Sequence, residues 1–249
     1  MKQSHQTNGI QAPFLYQDFK QAASIMCDAL TAHYSYILLL GDSGCGKTTL
    51  LRYLQQQLDK HSFSVLYLCH GRPSPSGLAR VLADAVHLPI RRTRAETSRL
   101  LLSTLKSLPT RLLFWIDEAQ LIHDDTLHEL RLLSEADLDG PPLFSVVLSA
   151  LPTLKERLLA PDLFPLWRRI GTRVRLHGLH HEEVVPFVNH CLGKNTAARF
   201  SAEALSLIFE KARGIPAMVK NYCAHCIQVI PKATEITKQM ADDSLDLLD

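Results

Sequence analysis

The stretch Gly41-Asp42-Ser43-Gly44-Cys45-Gly46-Lys47-Thr48 fits the pattern G-x-x-x-x-G-K-[ST] at every fixed position. These residue types suit a polyphosphate. The three glycines let the backbone turn its N–H groups inward around an anion. Lys47 is placed to reach the β- and γ-phosphates, and the Thr48 hydroxyl to ligate Mg²⁺. Thr49, next along, completes the expected cofactor-binding set. Further along, the apolar run Leu112-Leu113-Phe114-Trp115-Ile116 ends in two carboxylates, Asp117 and Glu118. A carboxylate at the end of a neighbouring strand holds Mg²⁺ and its waters. A second one aligns and polarises an attacking water. Asp117 is therefore assigned to the metal and Glu118 to the water. Ser149, just after a later apolar run, is a candidate to hydrogen-bond the γ-phosphate or that water. The chemistry expected of this set is binding and hydrolysis of a nucleoside triphosphate.

The flanking elements must deliver these groups to one place. Tyr36-Ile37-Leu38-Leu39-Leu40 reads as a buried strand leading into the glycine loop. Lys47 to Leu58 reads as a helix leaving it, with Leu50, Leu51, Leu54 and Leu58 on one face. Its N-terminal dipole adds to the phosphate site. Further strands are expected at Val65–Leu68, Leu112–Ile116, Leu143–Leu148 and Thr172–Leu176. Helices are expected at Pro75–His87, Ala95–Leu108, Thr126–Glu135 and Pro152–Leu159. Strands alternating with helices predict an α/β fold with a mainly parallel sheet of about five strands covered on both faces. After Leu179 the pattern becomes all-helical: Glu182–Leu192, Ala202–Arg213 and Ala217–Val229, with Gly214-Ile215-Pro216 as punctuation. The expected organisation is an N-terminal segment (1–30), an α/β nucleotide-binding core (31–179), a helical lid (180–233) and a C-terminal tail (234–249). One more helix is expected within that tail.

A hydrophobic fraction of 46% and a charged fraction of 21% over 249 residues are those of a soluble globular protein. The net charge of +2 does not by itself announce a nucleic-acid binder. The first ten residues are polar and lack an apolar signal core. No apolar run approaches membrane-spanning length, so a cytoplasmic protein without a membrane partner is expected. Of the six cysteines (Cys27, Cys45, Cys69, Cys191, Cys223 and Cys226), Cys223 and Cys226 have metal-ligand spacing. They stand without a second pair in an apolar helical stretch, and read as buried thiols.

Asp117-Glu118-Ala119-Gln120-Leu121, followed by Leu127-His128-Glu129-Leu130-Arg131-Leu132-Leu133-Ser134, resembles the ExeA/TniB-type branch of the AAA+ ATPases. The similarity continues through Val147–Pro152, Leu166–Ile170, Leu176–Leu179 and Gly214-Ile215-Pro216, covering most of the chain. The resemblance implies a P-loop core with a helical lid. It also implies ATP as the nucleotide and a ring or filament with ATP at subunit junctions. It places Ser149 at the sensor-1 position and makes Arg169, with Arg168 second, the candidate to act in trans on a neighbour's γ-phosphate. The branch typically has an arginine at the start of its last lid helix. Ala217 stands there instead, and Lys220, one turn later, is the candidate substitute.

The branch serves two trades. Some members, related to IstB and MuB, bind DNA with ATP and recruit a transposase. Others help to assemble secretion or pilus machinery, commonly with a membrane helix and a wall-binding domain. Lacking both additions, this chain is expected to bind double-stranded DNA without sequence preference and to assist transposition. A secretion or pilus assembly ATPase is the alternative. Arg91, Arg92, Arg94 and Arg99, opposed only by Glu96, form the basic cluster expected to contact phosphates, with Arg72 and Arg80 beside it.

Overall fold

A computed structural model describes residues 12–68, 73–89, 93–134 and 142–248. Five strands form one all-parallel sheet: β1 (Tyr36–Gly41), β2 (Phe63–Leu68), β3 (Arg111–Ile116), β4 (Phe144–Ala150) and β5 (Ile170–Leu176). Their spatial order is β2-β3-β4-β1-β5. Helices α2 (Lys47–Gln57), α3 (Pro75–Ala85), α4 (Arg94–Ser107), α5 (Asp124–Ser134), α6 (Thr153–Leu159) and α7 (Phe164–Arg169) make the crossovers, preceded by α1 (Gln17–Thr31). The parallel α/β expectation is met.

The strands read as apolar runs because the central ones are buried on both faces. Tyr36, Leu38 and Leu40 of β1 join Leu112, Phe114 and Ile116 of β3 and Phe144, Val146 and Leu148 of β4 in one core. Leu78, Leu82, Leu101, Leu105, Leu127 and Leu130 pack on it from α3, α4 and α5. The alternate residues, Ile37, Leu39, Leu113, Trp115 and Val147, face the other way and are equally buried. Burying a side chain of this size is worth about 1.5–3 kcal/mol, so the sheet centre supplies much of the drive to fold. At the edge, β5 alternates instead, with Arg173 and Arg175 exposed and Val174 and Leu176 buried.

The order of the strands creates the site. The chain leaves β1 towards β2 on one side and leaves β4 towards β5 on the other. The crevice beyond the carboxyl ends of β1 and β4 is therefore the switch point at which open α/β sheets bind ligands. The contact division of the chain falls after Gly178. Residues 18–178 make the unit just described. The second unit holds α8 (Val184–Leu192), α9 (Ala202–Ala212), α10 (Pro216–Val229) and α11 (Lys238–Leu245), with the described residues before 18. Within it α9, α10 and α11 pack on one another, burying Ile208, Val219, Cys223, Cys226 and Ala241. Phe14 meets Phe187 edge-on, with ring centroids 5.5 Å apart.

Several boundaries differ from expectation. The strand expected at Leu143–Leu148 runs on to Ala150, so Ser149 lies inside β4 rather than after it. Two helices, α1 and α7, have no counterpart among the sequence expectations. The segment expected as one lid helix from Glu182 starts as a 3₁₀ turn, His181–Glu183, before α8.

Candidate active site

The glycine loop is built by backbone geometry that side chains disfavour. Gly44 and Gly46 adopt φ of 86° and 98°, left-handed values that cost an L-residue with a Cβ. Gly41 is close-packed instead: a Cβ there would sit 3.0 Å from the Leu176 carbonyl oxygen. Gly46 occupies the N-cap position of α2, so Lys47 and Thr48 stand in its first turn. Lys47 is buried, and its Nζ donates to the carbonyl oxygens of Gly41 (2.8 Å) and Asp42 (3.1 Å). An ammonium has three protons, so one remains for a phosphate oxygen. Asp42, Ser43, Gly44 and Thr49 are exposed. Cys45 is fully buried, and its thiol faces the His177 carbonyl oxygen at 3.8 Å.

Strand pairing brings the remaining groups together. Trp115 pairs with Tyr67 and with Val147, and Ile116 with Leu148. Side chains in register across parallel strands share a face, so Tyr67, Asp117 and Ser149 converge on the same side of the sheet. Asp117 then accepts four hydrogen bonds. Thr48 Oγ1 (2.6 Å) and Tyr67 OH (2.7 Å) donate to Oδ2, and Ser149 Oγ (2.8 Å) and the Glu118 N–H (3.0 Å) to Oδ1. Burial works to raise the Asp117 pKa, but these four donors outweigh it and hold the carboxyl below the usual range. Asp117 is thus an anion at neutral pH, although only 8% exposed.

Glu118 follows in an unusual backbone state, with φ 53° and ψ 39°, a left-handed conformation uncommon for a non-glycine residue. Its carboxylate Oε2 accepts from Gln120 Nε2 at 2.5 Å. Gln120 Oε1 in turn accepts from the Leu151 N–H at 3.1 Å, just past the end of β4. Arg157 of α6 donates to the carbonyl oxygens of Gln120 (2.5 Å) and Ile122 (2.8 Å) and pairs with Asp124.

A hydroxyl and an ionised carboxylate in contact are hard oxygen donors of the kind Mg²⁺ selects, so Thr48 and Asp117 fit that ion. Among the described residues no cluster of three His, Cys, Asp or Glu side chains could hold a metal on its own. Cys223 and Cys226 are buried side by side on α10, and burial pushes the Cys223 thiol up to about 12.

The structure therefore assembles Lys47, Thr48, Asp117, Glu118 and Ser149 into one neighbourhood. Arg168 and Arg169 lie exposed on the last turn of α7. Ala217 and Lys220 lie exposed on α10, in the second unit. Arg99 is exposed on α4 and Arg80 on α3. Arg72, Arg91, Arg92 and Cys69, with the Arg94 side chain, lie outside the described residues. Sequence reasoning missed Tyr67, whose only signal is a hydroxyl at the right alternation of β2. It also gave no role to Gln120, although that residue sits within the Asp117–Gln120 box.

Comparison with known proteins bears on the family and the fold. A family model described as AAA domain matches residues 31–158. General secretion pathway protein A of Aeromonas hydrophila is 29% identical over 197 residues, which are 76% of this chain and 36% of that protein. The chain thus spans about a third of that relative's length. Among solved structures, Cdc6p of Pyrobaculum aerophilum superposes with a TM-score of 0.68 at 16% identity, covering 97% of this chain and 69% of that one. The ORC2 protein of Aeropyrum pernix, solved as ADPNP-ADP complexes, gives 0.65 at 14%, covering 97% and 70%. The RuvB branch-migration motor of Thermotoga maritima gives 0.54 at 18%, covering 92% and 68%. At these identities the structural likenesses speak for the fold alone.

Proposed function

The chain belongs to the AAA domain family, and from that premise we propose that it binds ATP at Gly41–Thr49 and hydrolyses it to drive assembly of a secretion-type or pilus apparatus. The observation that carries the hydrolytic reading is the convergence of Thr48, Tyr67 and Ser149 on Asp117, with Glu118 next in the chain. Lys47 neutralises the transferred phosphoryl group. Thr48 and Asp117 would hold Mg²⁺, which supplies further neutralisation of polyphosphate charge. Glu118 orients a water and takes its proton as the water oxygen attacks the γ-phosphorus and the bond to the bridging oxygen breaks, leaving ADP and phosphate. Ser149 belongs with them, 2.8 Å from Asp117.

Two further parts of the reading come from the AAA+ resemblance. ATP lies at junctions of a ring or filament, where Arg169, or Arg168 beside it, reaches a neighbour's γ-phosphate. An arginine supplied this way is worth ~10³–10⁵ in rate in related NTPases. Lys220 reads nucleotide from the lid in place of the arginine absent at Ala217.

The choice of trade turns on similarity. Sequence reasoning ranks transposition first. The identity with General secretion pathway protein A favours assembly instead, since it spans 76% of this chain. Binding of double-stranded DNA, with recruitment of a transposase, is the second reading. It is supported by the exposure of Arg80 and Arg99 on the packed pair α3 and α4. Phosphate release from wild type and Glu118→Gln, each with and without duplex DNA, tests both. Turnover in wild type that stalls in Glu118→Gln supports the hydrolytic site. Equal turnover in the two removes Glu118 from it. Stimulation by DNA, together with filter retention of DNA at low salt, would move the second reading ahead.

A further inference from the structure

We propose that Gln120 is a positioning residue for ATP hydrolysis, which ties the Glu118 carboxylate to the carboxyl end of β4. This deepens the hydrolytic reading and rests on it. The side-chain amide of Gln120 is used at both ends: Nε2 donates to Glu118 Oε2 at 2.5 Å, and Oε1 accepts from the Leu151 N–H at 3.1 Å. Leu151 lies two residues beyond Ser149, the β4 side chain that touches Asp117. One amide therefore joins the water-orienting carboxylate to the strand end that carries another group of the same site.

The surroundings make this a fixed strut rather than a loose surface contact. Gln120 sits in a 3₁₀ turn, Ala119–Leu121, entered through the left-handed Glu118. A non-glycine residue in that state costs of order 1–3 kcal/mol and persists only where its surroundings over-determine it. Three constraints do so here. Ala119 is fully buried beneath the turn. Arg157 clamps the turn by donating to the carbonyl oxygens of Gln120 and Ile122. The Glu118 N–H is held by Asp117 Oδ1 at 3.0 Å. With its backbone so fixed, the Glu118 side chain still has three rotatable torsions, and the hydrogen bond from Gln120 Nε2 tethers their far end, the carboxylate.

A carboxylate that must meet a water in one orientation loses rate when it can turn away, and a displacement of about 1 Å can cost 10²-fold. Gln120 does not touch nucleotide in this account, so its loss is felt in kcat and not in affinity. Gln120→Met keeps the length and volume and removes both hydrogen bonds. Gln120→Glu keeps the shape and the acceptor, and places a second carboxylate against Glu118.

The test uses the full chain and measures kcat and KM for ATP, affinity for a fluorescent ATP analogue, and the thermal midpoint. Expected for Gln120→Met is a fall in kcat of about 10- to 100-fold, with analogue affinity unchanged and the midpoint lowered only by the few degrees that two lost hydrogen bonds cost. Gln120→Glu falls at least as far. In a Glu118→Gln background, Gln120→Met adds no further loss, because the two residues act as one unit. If Gln120→Met keeps kcat within about twofold, or raises it, the proposal is overturned. A parallel fall of kcat and analogue affinity overturns it too, since that pattern marks a purely structural role. If Glu118→Gln itself turns over like wild type, it is the reading of Glu118 that fails, whatever Gln120 does.

Discussion

Thr48 Oγ1 and Asp117 Oδ2 lie 2.6 Å apart, joining the first turn of α2 to the carboxyl end of β3. The contact links two motifs that are far apart in the chain, one on the glycine loop and one on a strand that is not its immediate neighbour in the sheet. It places a hydroxyl and an ionised carboxylate, both hard oxygen donors suited to Mg²⁺, against each other.

Lys47→Ala tests the loop. Lys47 donates to two carbonyl oxygens of its own loop and keeps a third proton for phosphate. A charge-assisted hydrogen bond of this kind is worth about 1.5–3 kcal/mol, so nucleotide affinity should fall at least about 10- to 100-fold. Calorimetric titration with ATP and Mg²⁺ measures it. Unchanged affinity would remove Lys47 from the site.

Tyr67→Phe tests the anchoring of Asp117. The phenol donates at 2.7 Å to an ionised carboxylate whose pKa is held low. Its loss should destabilise the protein by about 1–3 kcal/mol at neutral pH. The sign of the pH dependence follows from the lowered pKa. The stabilisation is present above the ordinary carboxylate range and is lost as pH falls through the depressed value. Chemical unfolding of both proteins across that range should therefore show curves that converge in acid. A constant gap would mean that the phenol acts by packing alone.

Completion of the site in trans is tested by mixing. Lys47→Ala retains Arg169, and Arg169→Ala retains an intact nucleotide loop. Each should be inactive alone. An equimolar mixture should regain phosphate release, because mixed junctions pair one variant's loop with the other's arginine. Full activity of Arg169→Ala alone would shift the role to Arg168 or abolish it.

The thiols give a pH prediction. Burial raises Cys223 from 9.0 to about 12, with Cys226 nearby adding to the shift, and it raises Cys45 as well. Raised acid pKa values mean stability that is intact below the ordinary thiol range and lost as pH climbs through the folded value. Iodoacetamide should therefore leave Cys223 and Cys45 unmodified at pH 8 in native protein and label both in denaturant. Rapid native labelling of Cys45 would show the glycine loop opening without nucleotide.

Much of this was legible in the chain. The glycine loop is a local device: its residues dictate their own backbone, so spacing alone identifies it. The apolar runs of β1, β3 and β4 are legible because strands buried on both faces admit few polar residues. Helices α1 and α7 went unread for different reasons. The buried face of α1 (Phe19, Ala22, Ala23, Met26, Ala29 and Leu30) has clear helical spacing, so its period stood in the sequence although half of that face is alanine. Helix α7 has only six residues, too few for a period to emerge.

Sequence by itself determined the chemistry available: a cationic, glycine-lined phosphate loop and an acidic pair at a strand end. Those properties belong to residue types and short-range spacing. Only the tertiary structure decided which groups meet. Register between β2, β3 and β4 is a long-range pairing that no local pattern encodes. It puts Tyr67 and Ser149 on Asp117, and it carries Leu151 to the amide of Gln120. The partners of the two carboxylates were set by strand order and pleat, and those emerge only when the core closes.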